Sequence, residues 1–331
     1  MVEPYTGDEL LNVEIAHWLK WDKNEKTRLG IKHLVEEKNI SELKKLLFHR
    51  MEFGTAGLRA RMGPGNAQMN DLTIIQTTQG MVKYCKETLP SLNSTGVVVG
   101  FDGRHNSYRW SRIVGTIFVN AGIPVYLFSR MCPTPYVAYG VRTLKAGCGI
   151  MITASHNPKE DNGYKVYWNN GAQVNPDPDF PTVKYPNPEE GKGALKLSME
   201  TADKFKSKVI LANDPDADRL AVAERTDSGW RVFSGNEIGA LLGWWCWTTW
   251  REKHQNVDLN DVYMLSSTVS SKILESIAKK EGFKFIETLT GFKWMGNETD
   301  TLLKANKNVL FAFEEAIGFM CGSQVIDKDG I

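Results

Sequence analysis

The chain contains no Cys-x-x-Cys pair. Its five cysteines, at 85, 132, 148, 246 and 321, are scattered and odd in number. That excludes a disulfide framework and predicts reduced thiols in a cytoplasmic protein. Neither sign of charge is in excess, since 40 basic residues face 39 acidic ones for a net charge of +1. The balance excludes the electrostatic footprint of a nucleic-acid or membrane-surface binder. Affinity for an anionic substrate has to come from a few local basic groups. No long hydrophobic run is present. The longest apolar stretch, Ile238 to Trp250, falls short of the about 20 residues that span a bilayer. The opening residues Met1-Val2-Glu3-Pro4-Tyr5 have neither the basic nor the apolar region of a secretory signal. The expected partners are therefore small molecules, with no nucleic acid and no membrane, and the oligomeric state stays open.

What is present is an ordinary globular composition, 42% hydrophobic and 24% charged over 331 residues, enough for two or three domains. Helical spacing of Leu10, Leu11, Ile15, Trp18 and Leu19 predicts a helix over 8–21, and a charged helical stretch follows at 25–50. Residues 96–128 read as a βαβ unit, with strands at 96–101 and 124–128 around a helix at 107–121. Gly149 to Thr153 is a further apolar strand. Val174 to Gly193 holds five of the 13 prolines and reads as a linker. Strands follow at 208–212 and 220–223. An apolar helix at 237–250 carries Trp244, Trp245, Trp247 and Trp250, expected as core packing. A second βαβ-like unit runs from 262 through a helix at 270–281 to 286, and a strand at 309–313 leads into Glu314. Continuous apolar strands alternating with helices predict a parallel or mixed α/β sheet.

Two motifs carry chemistry. The first, Thr153-Ala154-Ser155-His156-Asn157-Pro158, sets a serine just past a buried strand. His156 places an imidazole beside the hydroxyl, and Lys165 returns ten residues later through a Gly-containing turn. A lysine there offsets phosphate charge or removes a proton. The second, Asp214-Pro215-Asp216-Ala217-Asp218-Arg219, alternates three carboxylates. On an extended or looped backbone they face one way and repel unless a cation sits among them. Oxygen donors select Mg²⁺ or Ca²⁺. An EF-hand is excluded, because loop position 6 is Arg219 and position 12 is Arg225. A hydroxyl nucleophile with a hard-cation site is equipment for phosphoryl transfer. Weaker signals are Gly54-Thr55-Ala56-Gly57-Leu58-Arg59, whose arginine can clamp a phosphate but which lacks a P-loop's Gly-Lys-Ser/Thr, then Thr290-Gly291-Phe292-Lys293 and Glu314-Glu315-Ala316-Ile317-Gly318. Ser155, Asp214 and Glu314 all follow the carboxyl end of a predicted strand, where open α/β sheets bind ligands.

In their order along the chain, these motifs resemble the α-D-phosphohexomutase superfamily. The branch looks like that of phosphoglucomutase-2, which includes phosphopentomutases and glucose 1,6-bisphosphate synthase. The matching stretches are 53–59, 152–165, 213–219, 289–294 and 311–319. The resemblance implies a multi-domain α/β architecture of mixed sheets sandwiched by helices. Domain 1 would cover 1–173 with the phosphoserine loop, followed by the linker at 174–193. A remnant of domain 2 with the metal loop would cover 194–257, and a partial domain 3 with the sugar-binding loop 258–331. It also implies that part of domain 2, on the order of a hundred residues or one small domain, is absent after Gln173. Domain 4, with the loop for the substrate's distal phosphate, is absent too, and the Asp327-Lys328-Asp329-Gly330 turn leads to no further element. Low mutase activity is expected of such a chain.

By the same resemblance Ser155 is the phosphorylated serine. Asp214, Asp216, Asp218 and the phosphoserine oxygen hold Mg²⁺. Lys165 and His156 serve as acid/base and positioning groups, and Arg59 and Arg219 steady phosphate and loop. Glu314 and the Thr290–Lys293 loop, including Gly291 and Lys293, read the sugar. The implied activity interconverts the 1-phosphate and the 6- or 5-phosphate of glucose, ribose or deoxyribose, with glucose 1,6-bisphosphate as activator. The alternatives are a glucose 1,6-bisphosphate synthase, an impaired fragment that binds metal or a partner, and a serine-based sugar-phosphate phosphatase.

Overall fold

The computed structural model describes residues 6–53, 57–172, 195–214 and 216–331. The proline-rich linker and Gly54-Thr55-Ala56 lie outside the described residues. The chain divides into two compact units, one of Met1–Cys132 with Leu144–Val166, the other of Pro133–Thr143 with Tyr167–Ile331.

The first unit opens with three helices, α1 (Glu9–Trp21), α2 (Glu25–Glu36) and α3 (Ile40–Phe48). They close on their own core of Leu11, Ile15, Trp18, Ile31, Leu43, Leu46 and Leu47. The stretch expected as one helical run at 25–50 is thus two helices. Lys38 between them has φ 54°, a left-handed conformation that no continuing helix accommodates, and Asn39 caps the second by accepting from the Glu42 N–H.

Strands β1 (Leu58–Arg61), β2 (Val97–Phe101), β3 (Val125–Leu127), β4 (Cys148–Ile152) and β5 (Asp161–Trp168) form a mixed sheet in the order β1-β5-β4-β2-β3. β2 runs parallel to both β3 and β4, while β1 is antiparallel to β5. Every residue of β2 and β4 is buried, which is why both read as unbroken apolar runs rather than alternating ones. Helices α4 (Asp71–Thr88), the short α5 (Leu92–Thr95) and α6 (Ser107–Asn120) complete this unit, with α6 packed on β2, β3 and β4.

In the second unit, helix α7 (Thr134–Thr143) precedes α8 (Lys196–Phe205). An antiparallel sheet follows from β6 (Val209–Asn213), β7 (Leu220–Thr226) and β8 (Gly229–Val232). Beyond α9 (Gly235–Lys253), strands β9 (Val262–Ser267), β10 (Lys284–Thr288), β11 (Asn308–Glu314) and β12 (Gly318–Cys321) pair in the order β10-β9-β11-β12. The first three are parallel and β12 is antiparallel to β11. Helices α10 (Ile273–Glu281) and α11 (Phe292–Lys304) serve as the crossovers. The expected mixed α/β class is therefore the one observed.

The tryptophans of α9 depart from expectation. Trp247 is buried, but Trp244 and Trp245 are exposed, at 46% and 66%. At 100° per residue the inward stripe of α9 is Gly239, Gly243 and Trp247, and Trp244 and Trp245 turn off it. The two glycines let α9 approach β11 and α10 closely. A Cβ at Gly239 would lie 2.4 Å from the Phe313 ring, and one at Gly243 would lie 2.5 Å from Leu274. Gly239→Ala gains about 1 kcal/mol of helix propensity, yet it forces a methyl into a ring that has no exposed side to yield toward. Overpacking costs about 1–3 kcal/mol and wins. Thermal unfolding is expected to show a lower midpoint than the parent chain, and an unchanged or raised midpoint would contradict the close approach.

Candidate active site

In the first unit, β4 ends at Ile152 and delivers Ser155 into a turn. Ser155 has φ 54°, a left-handed backbone that costs a non-glycine residue about 1 kcal/mol or more. Its surroundings hold it there. The Ser155 N–H donates to Thr153 Oγ1 at 2.8 Å, and Nδ1 of His156 lies 3.3 Å from Ser155 Oγ. Arg104 supports the turn from behind. Its guanidinium donates to the carbonyl oxygens of Ser155, Asn157 (2.7 Å) and Pro158 (2.8 Å). Arg104 is in turn paired with the buried Asp102 at 3.2 Å. Asp102 also accepts from Ser107 Oγ and Thr153 Oγ1, each at 2.7 Å. Burial raises the Asp102 carboxyl above its ordinary pKa, against the pull of these donors.

Arg59, on β1, donates to Asn157 Oδ1 at 3.3 Å. Lys165 is buried on β5. Ser155 and His156 thus share one loop, which Arg59 reaches from β1, with Lys165 on the strand that follows it. Asp102 and Arg104 escaped the sequence reading. Their only signal was an Asp-Gly-Arg triplet past the end of β2, indistinguishable from a turn until its partners are known. Arg104→Lys keeps the charge but loses the fork that reaches several carbonyls at once. A loosened serine turn is expected to slow reaction of an electrophile at the Ser155 hydroxyl about 10- to 100-fold, with the circular dichroism spectrum unchanged. Reaction at the parent rate would show that the fork is dispensable.

In the second unit, the loop from β6 to β7 gathers Asp214, Asp216 and Asp218. One carboxylate oxygen from each lies within 4.8 Å of the others. The loop is tightly specified. Ala217 adopts φ 54°, and its N–H donates to the Asp214 carbonyl at 2.9 Å. Thr134, at the start of α7, donates its hydroxyl to Asp216 Oδ2 at 2.6 Å, and its N–H to the Asp216 carbonyl at 2.8 Å. The Arg219 N–H donates to Asp214 Oδ1 at 3.1 Å, and the Arg219 guanidinium to the Ala316 carbonyl at 2.8 Å. That second bond ties the aspartate loop to the turn between β11 and β12.

The segment Asp327–Gly330 is not the idle turn expected of it. It packs back onto the aspartate loop, with Gly330 N–H donating to the Ala217 carbonyl at 3.2 Å and Lys328 Nζ 3.2 Å from Asp218 Oδ2. Lys328 is buried, and the carboxylates of Asp218, Asp327 and Glu314 hold its ammonium above the ordinary lysine range although burial opposes them. Sequence reasoning missed Lys328, because nothing local distinguishes it from a turn lysine.

Of the two glutamates after β11, Glu314 is buried, and burial raises its pKa against Lys328 and Arg219. Glu315 is half-buried and accepts from Ser267 Oγ at 3.1 Å and Ser270 Oγ at 2.9 Å. Glu315 is therefore an additional candidate contact for a hydroxylated ligand. Thr290 is exposed, Gly291 takes φ 108° at the head of α11, and Lys293 is buried, which lowers its pKa. The sequence-predicted residues of this unit thus fall into an Asp214–Asp218, Arg219 and Glu314 group and a second set, Thr290, Gly291 and Lys293, at the head of α11.

Three carboxylates this close, all oxygen donors, fit a hard divalent cation such as Mg²⁺. Among the described residues they are the one cluster of His, Cys, Asp or Glu with ligand spacing. No helix among the described residues is long and apolar enough to cross a membrane.

Comparison with known proteins finds relatives along the chain. Residues 50–180, 163–229 and 234–331 match the family profiles of phosphoglucomutase/phosphomannomutase α/β/α domains I, II and III. The chain is similar to the human protein named phosphopentomutase, 48% identical over 430 positions that cover 98% of this chain and 70% of that one. It is 42% identical to human glucose 1,6-bisphosphate synthase over 435 positions, covering 99% and 70%. An aligned stretch of 430 positions exceeds the 331 residues available, so about a hundred positions of the relative fall opposite gaps inside it, the size of a small domain. Among solved structures, a phosphoglucomutase/phosphomannomutase family protein from Burkholderia thailandensis superimposes with a TM-score of 0.62. It is 15% identical and covers 82% of this chain and 72% of its own, which speaks to fold.

Proposed function

Because the chain belongs to the phosphoglucomutase/phosphomannomutase family, we propose that it is a phosphosugar mutase whose phosphoryl carrier is Ser155. The observation that carries this is the serine turn. A hydroxyl is held in a left-handed backbone, 3.3 Å from an imidazole, on a loop whose carbonyls are clamped by Arg104. In the forward step the bond between phosphorus and Ser155 Oγ breaks and one to the sugar hydroxyl oxygen forms. The hydroxyl proton passes to a base of the chain, for which Lys165 and His156 are the candidates. The resulting bisphosphate then returns its other phosphate to Ser155. Arg59 offsets phosphate charge, Arg219 steadies the aspartate loop, and Glu314, Thr290, Gly291 and Lys293 contact the sugar. Asp214, Asp216 and Asp218 would hold Mg²⁺, which when bound neutralises charge on the transferring phosphoryl group.

The higher identity to phosphopentomutase than to glucose 1,6-bisphosphate synthase favours a pentose phosphate as substrate. Glucose 1,6-bisphosphate is proposed as the activator that charges Ser155, and the cytoplasm as the location. The test supplies ribose 1-phosphate or glucose 1-phosphate with Mg²⁺ and a trace of glucose 1,6-bisphosphate, followed by phosphorus-31 NMR. Ribose 5-phosphate is expected to appear faster than glucose 6-phosphate. Stoichiometric inorganic phosphate would instead establish a phosphatase, and bisphosphate that accumulates once a separate acyl phosphate donor is added would establish a synthase. The internal alignment gap favours one further reading, a chain that charges its serine but turns over slowly. Phosphate mapped to Ser155 without multiple-turnover product would support it.

A further inference from the structure

Cysteines that sequence spacing leaves unrelated are gathered in pairs by the fold. All five are free thiols. Cys85 and Cys148 lie with their sulfurs 3.9 Å apart, but both are fully buried, so no oxidant reaches them. Cys246 and Cys321 differ. Cys246 lies on α9 and is half-buried, while Cys321 ends β12 and is exposed. α9 packs on β12, and the largest influence on the ionisation of each thiol is the other thiol. Both line one open cavity of about 510 Å³, whose rim includes Lys253, Lys307 and the stacked rings of Trp250 and His254. No third ligand completes a metal site, since the only such cluster among the described residues is the aspartate triad.

We propose that Cys246 and Cys321 are a reversible thiol–disulfide site that reacts with a hydroperoxide. The neighbouring Cys321 thiol lowers the pKa of Cys246 against the effect of burial, while Cys246 raises that of Cys321. Cys246 is therefore the attacking sulfur. Its thiolate attacks the peroxide, forming a sulfur–oxygen bond and breaking the oxygen–oxygen bond, and the departing hydroxide takes up the proton that Cys246 released. The product is a sulfenic acid and one water. Cys321 then attacks that sulfur. A sulfur–sulfur bond forms, the sulfur–oxygen bond breaks, and the leaving hydroxide carries off the Cys321 proton as a second water. Two thiols have lost two electrons, and the peroxide has gained them.

The bridge has a structural consequence. Cys321 pairs with Phe311 and Gly318 with Glu314 across the β11–β12 ladder. The turn joining these strands carries Glu315 and the Ala316 carbonyl that Arg219 grips. Gly235, at the head of α9, packs against the Glu315 carbonyl so closely that a Cβ there would lie 1.9 Å from it. A disulfide would fasten the far end of the hairpin to the same helix that already abuts its turn. The chemical step stands whether or not the chain is a mutase. An effect on turnover would rest on the mutase reading.

The experiment treats the full chain with hydrogen peroxide, digests it without reduction and maps the peptides. A Cys246–Cys321 linked peptide is expected, two hydrogens lighter than its parts and lost on adding dithiothreitol. In Cys321→Ser, the sulfenic acid is expected to persist on Cys246 and to be trapped by dimedone. In Cys246→Ser, Cys321 should stay a thiol. Amide exchange of β12 in the oxidised chain should slow by about tenfold or more. Linkage of Cys85 to Cys148 instead, over-oxidation of Cys321 without a crosslink, or an unaltered peptide map with native circular dichroism would each overturn the proposal. A crosslink with unchanged β12 exchange would overturn the clamp.

Discussion

Ser155→Ala takes up no phosphate from glucose 1,6-bisphosphate, whereas the parent chain gains one phosphoryl mass on the peptide containing residue 155: that is the expected result. Mutase turnover is expected to fall by about three orders of magnitude or more, because removing a covalent carrier leaves only binding and positioning. The substitution removes one oxygen. The backbone donor is unaffected, since the Ser155 N–H still reaches Thr153 Oγ1 and Arg104 still grips the loop carbonyls. Alanine at φ 54° is strained to a similar degree as serine, so stability should change by well under about 1 kcal/mol. A labelled Ser155→Ala chain, with phosphate on another residue, would remove Ser155 from the mechanism. Loss of labelling together with a collapsed thermal transition would point to misfolding, and Ser155→Gly then separates the two, as glycine accepts the left-handed backbone while still lacking the hydroxyl.

Asp216→Asn is expected to abolish the effect of Mg²⁺ while sparing the fold. Three carboxylates within 4.8 Å repel one another, and only some of that is offset by Lys328 and Arg219 nearby. Neutralising one relieves repulsion in the metal-free protein. The midpoint of thermal unfolding without metal should therefore hold or rise slightly. With millimolar Mg²⁺ the parent chain should be stabilised by mass action on the folded state, and the Asn variant should lose most of that increment. Phosphoryl transfer should need about a hundredfold more Mg²⁺ or fail. Thr134 still has an oxygen to donate to, because the asparagine amide keeps one where Asp216 now accepts at 2.6 Å. If the parent and the variant show equal Mg²⁺-dependent stabilisation, the aspartate loop is not the cation site.

What the sequence determined by itself was local. The apolar runs at Val97–Phe101 and Cys148–Ile152 are strands buried on both faces, and the periodicity that reveals them needs no partner. The serine past one strand and the alternating aspartates past another lie within a few residues of the features that make them notable, so both were legible at once as candidate sites. Helix boundaries and faces were less so. The break at Lys38 and the outward turn of Trp244 and Trp245 depend on which neighbour each helix meets. Only the tertiary structure decided which distant groups stand behind the motifs. Arg104 reaches the Ser155 carbonyl from 51 residues away, and Thr134 reaches Asp216 across 82. Lys328 sits against Asp218, and Cys246 and Cys321 line one cavity. Such partners carry no sequence signature. A buried charge or a supporting hydrogen bond is specified by the packing of whole elements, and the residues that supply it look like ordinary turn residues until the chain has folded.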